Sequence, residues 1–254
     1  MFLKYLMRIK ETPNIIPPLA VPTASNQTPI PSNLPPVQPN ISPPAPTITP
    51  VLHKPADTTV LFGTSITSRI ISSKLTHGTN KKVINISQSG AKIRDIAQNM
   101  EKFYEDAKTF PEDIEKIVFS FGTNDIRFSR GVNQYHQPII DLIEKTKKFF
   151  PRASIVMQSV LPIKVDREFT GGNFRNFNRM LFNICKKEKC AFLDIFDEYI
   201  AFNRYTNKWD YNPKLYFDKL HLNNLGLGKL ARALKNVVRD NIFNPHIVCQ
   251  RRIR

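Results

Sequence analysis

Along the chain, short β-branched and apolar runs alternate with longer stretches in which apolar residues recur every three or four positions. The runs are Thr59–Gly63, Val83–Ser87, Lys116–Phe121, Ser154–Val160 and Cys190–Asp194. Each is bounded by breakers, the pattern of strands covered on both faces. Between them, Ile66–Leu75, Ile93–Ala107, Asn133–Phe149 and Phe174–Lys187 read as helices. In the third, Ile139, Leu142, Ile143 and Thr146 fall at helical spacing. A last helix is expected over Leu225–Val238, with Leu227, Leu230, Ala231 and Leu234 on one face and Asn223 or Asn224 as its cap. Repeated strand–helix alternation predicts an α/β fold: a parallel sheet of about five strands with helices on both faces, three layers in all. In open sheets of this kind the site lies at the carboxyl ends of the strands. No internal repeat is present.

Residues 12–56 carry no apolar period. Of the 20 prolines, 14 precede Ala56, mixed with Ser, Thr, Asn and Gln. Proline removes backbone donors, so residues 1–56 read as a disordered, proline-rich leader, in part polyproline II. Pro35-Pro36-Val37-Gln38-Pro39 would suit a domain that binds proline-rich ligands. The folded domain is then 57–243, followed by a basic tail, 244–254, that ends Arg251-Arg252-Ile253-Arg254.

The formal net charge is +16. Before Asp57 only Lys4, Arg8, Lys10 and Lys54 are basic, so most of the excess lies in the folded part and the tail. Such a balance favours polyanions, either nucleic acid or an anionic membrane surface, unless the lysines only solvate helix faces. Cys185, Cys190 and Cys249 are odd in number and lack CxxC spacing, which argues against a metal site and against a disulfide framework. That usage suits a reducing compartment. Met1–Arg8 is broken by Lys4 and lacks a signal-peptide pattern, and the expectation is a cytoplasmic protein. No run approaches the ~18 apolar residues of a membrane span. The sequence leaves the oligomeric state open.

The chemistry-bearing residues follow the strands. Gly63-Thr64-Ser65 comes after the first, and a Ser on a tight strand-to-helix turn is placed for attack. Gln88-Ser89-Gly90-Ala91 comes after the second; a Gly there lets a backbone N–H approach a ligand. Gly122-Thr123-Asn124-Asp125 comes after the third, where an Asn amide can donate to a developing oxyanion. Asp218-Lys219-Leu220-His221 precedes the last helix, and Asp and His three apart on a loop can meet side by side. Singly, each block has an ordinary structural explanation, such as a cap, a loop glycine, an Asx turn or a solvated histidine. Together they converge on one sheet edge and supply a nucleophile, oxyanion donors and an oriented base, the roles needed for acyl transfer to water.

These blocks resemble those of the SGNH hydrolases, also called GDSL-like lipases and esterases. The family's Ser, Gly, Asn and His fall on Ser65, Gly90, Asn124 and His221, and the resemblance spans roughly Thr58 to Arg239. It implies a flavodoxin-like three-layer fold and hydrolysis of small acyl or acetyl esters, often O-acetyl groups, without a cofactor. It further implies an oxyanion hole made by the Ser65 and Gly90 N–H groups and the Asn124 side chain, with Asp218 orienting His221. Thr64 stands where the family usually has Asp, and it can hydrogen-bond locally through its hydroxyl. The pocket-side loops Asp125–Gln134 and Pro162–Asn173 carry Arg127, Phe128, Arg130, Lys164, Arg167 and Phe169, a mixture suited to an anionic or sugar-bearing substrate. Gly171-Gly172 marks the second loop as able to move.

Two other readings follow from the same sequence. Some domains of this family have lost the catalytic residues and bind RNA instead. The basic charge fits that alternative, in which nucleic acid is the partner. The layout of a proline-rich, basic leader before such a domain is similar to first-open-reading-frame proteins of some non-LTR retrotransposons. A nucleotide-binding turn at Gly63–Thr67 would need GxxxxGK[ST] or GxGxxG, and neither stands there.

Overall fold

A computed structural model describes residues 57–106, 111–127, 129, 131–164, 171–205 and 207–239. The expected leader 1–56 and tail 244–254, with Cys249, lie outside the described residues, as do Phe128, Arg130, Arg167 and Phe169.

Five strands build one parallel sheet: β1 (Thr58–Gly63), β2 (Lys82–Ser87), β3 (Ile114–Ser120), β4 (Ser154–Gln158) and β5 (Ala191–Leu193). Their order, 2-1-3-4-5, is that of the flavodoxin-like doubly wound sheet. Strands β1 and β3 are buried along almost their whole length, as their unbroken apolar runs require. The edge strand β2 departs from the expectation of full cover. Its residues are half-buried, and Asn85 and Ser87 use their polar side chains to hold the neighbouring turn.

The helices are α1 (Ser72–Thr76), α2 (Ile93–Asp106), the one-turn α3 (Thr123–Ile126), α4 (His136–Phe149), α5 (Gly171–Glu188) and α6 (Asn224–Arg239). Helix α1 packs on α6 and β2, whereas α2, α4 and α5 pack successively on one another, giving the two outer layers. On α4, the predicted face of Ile139, Leu142, Ile143 and Thr146 is buried. On α6, Leu230 and Leu234 are buried while Leu227 and Ala231 are only partly so. Asn223 is the cap: its Oδ1 accepts from the N–H groups of Leu225 and Gly226 at 2.9 and 3.0 Å. The core joins Phe62 and Phe119, stacked at 5.6 Å, to Phe103 and Phe150 under α2 and α4.

Three sequence readings need correction. No helix spans Ile66–Leu75; a compact turn follows β1 and the helix begins only at Ser72. The turn is closed by short backbone bonds to the Thr64 and Thr67 carbonyls, and Asn85 Nδ2 takes the carbonyls of Thr67 and Ile70 that a continuing helix would use. Gly171 and Gly172 lie in the first turn of α5, not in a loop. Finally, a two-stranded antiparallel hairpin, β6 (Ile200–Asn203) and β7 (Lys208–Tyr211), stands apart from the sheet and was not anticipated. Cys185 and Cys190 are buried and unbridged, and burial pushes both thiols up, that of Cys190 to about 11, as suits inert core residues. No described helix is long and apolar enough to cross a membrane, and no described cluster of three or more His, Cys, Asp or Glu could hold a metal ion.

Candidate active site

Ser65 opens the turn at the carboxyl end of β1. The Thr64 carbonyl accepts the N–H groups of Thr67 and Ser68, both at 3.1 Å, which closes the turn. Thr64 is buried, and its hydroxyl accepts the Ile66 N–H at 3.4 Å, the local bond expected of a threonine in the family's Asp position. Beneath the turn, the Thr67 hydroxyl lies 2.9 Å from the Ser87 hydroxyl, which donates to Asn85 Oδ1 at 2.6 Å. Asn85 Nδ2 then donates to the carbonyls of Thr67 and Ile70 at 3.0 and 3.1 Å. The polar residues of β2 therefore hold the serine turn from below. Gly63 makes the close approach possible: a Cβ there would stand 1.8 Å from Thr67 Oγ1 and 2.8 Å from Ser87 Oγ.

The second block reaches the first through the backbone, since the Gln88 N–H donates to the Gly63 carbonyl at 3.0 Å. Gly90 has φ +79°, in the left-handed region that favours glycine, and it is exposed. The third block folds as α3. Asn124 Nδ2 donates to the Ala91 carbonyl at 3.0 Å, so one amide proton fixes the side chain beside Gly90 and the other remains to be used. Asp125 ties α3 to α2, its Oδ1 accepting the Ile93 N–H at 3.1 Å, and its carbonyl accepts the Tyr135 hydroxyl at 2.6 Å. Burial pushes the Asp125 carboxyl up to about 6, against the opposing pull of the Ile93 N–H and Lys92.

The fourth block is a loop closed on itself. Asp218 Oδ1 accepts the N–H groups of Leu220 and His221 at 2.7 and 2.5 Å, while Oδ2 meets His221 Nδ1 at 2.8 Å. Partial burial works to raise the Asp218 carboxyl, but the hydrogen bonds from the His221 ring and from the two N–H groups outweigh it and hold the group at about 2. With Nδ1 donating to an ionised carboxylate, Nε2 is the ring's free acceptor. The loop lines a cavity of about 750 Å³ with Arg127, Tyr211, Tyr216 and Phe217.

The structure thus brings His221 to Asp218, and Asn124 to the Gly90–Ala91 segment. It does not place Ser65, Gly90 or Asn124 on the lining of that cavity, and Ser65 and His221 share no hydrogen bond among the described residues. What joins the two sides is a residue that the motif reading passed over. Arg69, in the serine turn, donates through Nη1 to the Leu222 carbonyl at 3.1 Å and through Nη2 to Asn224 Oδ1 at 3.4 Å. A lone arginine carries no sequence signal for a partner 153 positions away.

Among solved structures of similar fold, an acetyl xylan esterase, AlAXEase, matches with TM-score 0.58 and 20% identity over 71% of this chain and 99% of its own. A GDSL-like lipase from Bacteroides thetaiotaomicron matches with TM-score 0.56 and 18% identity, covering 72% of this chain and 88% of its own. A catalytic mutant of the Geobacillus stearothermophilus acetylxylan esterase Axe2 matches with TM-score 0.53 and 18% identity, covering 72% and 94%. At these identities the likeness establishes the fold. A comparison with curated proteins gives no match. The model of the GDSL-like Lipase/Acylhydrolase family matches residues 59–227, a span that contains all four blocks and most of the domain, and the chain belongs to that family.

Proposed function

We propose that this chain is a serine esterase, acting on small acyl or acetyl esters, with Ser65 as nucleophile, His221 as base and Asp218 as the carboxylate that orients it. The observation that carries the reading is the Asp218–His221 pair, 2.8 Å apart at the edge of a cavity large enough for a small ester. Asp218 fixes the imidazole tautomer and stabilises the imidazolium that forms when Nε2 takes the Ser65 proton. Ser65 Oγ then attacks the ester carbonyl. The charge that develops on its oxygen is met by the N–H groups of Ser65 and Gly90 and by the second amide proton of Asn124. His221 returns the proton to the leaving alcohol, and a water deprotonated by the same ring releases the acid. O-Acetyl groups on carbohydrates are the substrate class we favour, supported by the acetylxylan esterases of similar fold and by the Tyr, Phe and Arg side chains around the cavity.

The test is hydrolysis of p-nitrophenyl acetate by the full chain, with Ser65→Ala and His221→Ala as controls. Each substitution should lower kcat by about 10⁴-fold or more, with an unchanged melting temperature. Turnover that survives in either variant would remove the scheme.

A further inference from the structure

The hairpin β6–β7 lends only Tyr211 to the His221 cavity, yet among the described residues it groups three exposed aromatic side chains, Phe202, Tyr205 and Trp209. Its register pairs Ile200 with Tyr211 and Phe202 with Trp209. Strand alternation sets these four side chains on one face. The inner end of that face is packed, with Tyr211 and Tyr216 rings 5.4 Å apart. The outer end is not: Phe202 and Trp209 touch edge to face at 5.6 Å and remain 46% and 58% exposed. Tyr205, at the tip, is fully exposed, and Phe217, on the lip of the His221 cavity, is 80% exposed. Scattered exposed apolar residues are ordinary, but rings in contact, as Phe202 and Trp209 are, mark an interaction surface.

Basic side chains predominate among the exposed residues around this group. Arg204 and Lys208 flank the tip, and Lys214 and Lys219 lie between the hairpin and His221, all of them exposed. Of the carboxylates nearby, Asp218 is engaged by His221, and Asp210 accepts the Tyr211 N–H at 2.7 Å. The partner is therefore anionic. Ring geometry narrows it further. A single-stranded nucleic acid lays successive bases on exposed ring faces. Here the neighbouring rings stand nearly perpendicular, at 68° for Phe202–Trp209 and 72° for Tyr211–Tyr216, and make no ladder of parallel faces. A headgroup boundary makes no such demand: Trp and Tyr settle there with apolar body inward and polar tip outward, while Lys and Arg meet anionic headgroups.

We infer that β6–β7 and the Phe217 lip form a docking surface for an anionic phospholipid membrane, which holds the mouth of the His221 cavity against the lipid. This docking does not depend on the hydrolytic scheme and would persist in an inert Ser65→Ala protein.

Trp209 is the chain's only tryptophan and so reports the surface directly. Its emission is followed while the full chain is titrated with vesicles of phosphatidylcholine, with and without phosphatidylserine. The expected result is a blue shift and a rise in intensity with phosphatidylserine vesicles, weakened by salt, and no change with phosphatidylcholine alone. Each basic side chain near an anionic surface strengthens binding roughly fivefold, so Arg204→Ala with Lys208→Ala should weaken partitioning about 25-fold. Phe202→Ser should reduce the shift. All three changes should leave p-nitrophenyl acetate hydrolysis, measured without vesicles, unaltered, so that failure of docking and failure of the ester site read out separately. Two outcomes would overturn the inference: Trp209 emission that does not move even where the protein sediments with vesicles, or quenching by a single-stranded oligonucleotide with no response to lipid.

Discussion

The serine turn and the histidine loop present opposite solutions to the same task of fixing one side chain. The turn is buried at Thr64, Ile66, Thr67 and Ile70 and is held from below by β2. Thr64 and Thr67 are almost fully covered, and the Ser87 and Asn85 side chains occupy the hydrogen-bonding groups that the departing chain leaves open. The loop sits at the surface. The side chains of Asp218 and His221 are 46% and 42% exposed, and the loop is held by its own Asp218 turn and by Arg69. Buried hydrogen bonds that lose a partner cost the full desolvation of the orphaned group, whereas exposed ones exchange with water. Position and stability are therefore coupled in the turn and separable in the loop.

That difference can be broken at four points, in descending order of expected effect. Asp218→Asn leaves the loop's shape available but lets the ring adopt the wrong tautomer. It should lower kcat by about 10²–10⁴-fold with little change in melting temperature, measured by p-nitrophenyl acetate turnover alongside thermal denaturation. Gly63→Ala drives a methyl group into Thr67 and Ser87. It should destabilise the fold by about 3 kcal/mol in urea titrations and remove activity with it; a stable but inactive protein would show that the turn is not coupled to the fold. Arg69→Met cuts the tie between the two regions at an exposed site. It should cost about tenfold in kcat and under about 1 kcal/mol in stability, and an unchanged kcat would mean that the loop needs no help from the turn.

The fourth point is one of pH. Asp125 titrates at about 6 in the folded protein against 3.8 in the unfolded chain, so the folded state holds its proton more tightly. Stability contributed by this group is full below 3.8 and falls as pH rises through 6. Asp218 has the opposite sign: its contribution is present above 3.8 and is lost as pH falls through about 2. Denaturation measured between pH 4 and pH 7 should therefore flatten in Asp125→Asn and keep its slope in Asp218→Asn.

The same contrast explains what could be read in the sequence. The central strands were legible because a parallel sheet covered on both faces demands uninterrupted apolar runs, the half-covered β2 by its Val83, Ile84 and Ile86, and the four motif blocks because each follows a strand or precedes a helix at a fixed place. The turn after β1 was misread as helix because Ile66 and Ile70, like Ile71 and Leu75, are four apart as on a helix face, although side-chain hydrogen bonds from β2 hold the backbone there. The hairpin escaped because its outer residues are exposed, so no core imposes a clear alternation on them; Asn203, whose Oδ1 accepts the Tyr205 N–H, and Asn207, in the left-handed region at φ 50°, were its local turn signals. Arg69 escaped because its partners, Leu222 and Asn224, are distant in sequence.

The order of the site's parts along the chain has a consequence for its biogenesis. Ser65, Gly90 and Asn124 follow the first three strands of the sheet in turn, while His221 arrives just before α6, which packs on α1. On the proposed roles, a nascent chain emerging from the ribosome holds its nucleophile and oxyanion donors before residue 221 supplies the base. In the proposed scheme, a chain that stops short of residue 221 would be chemically silent.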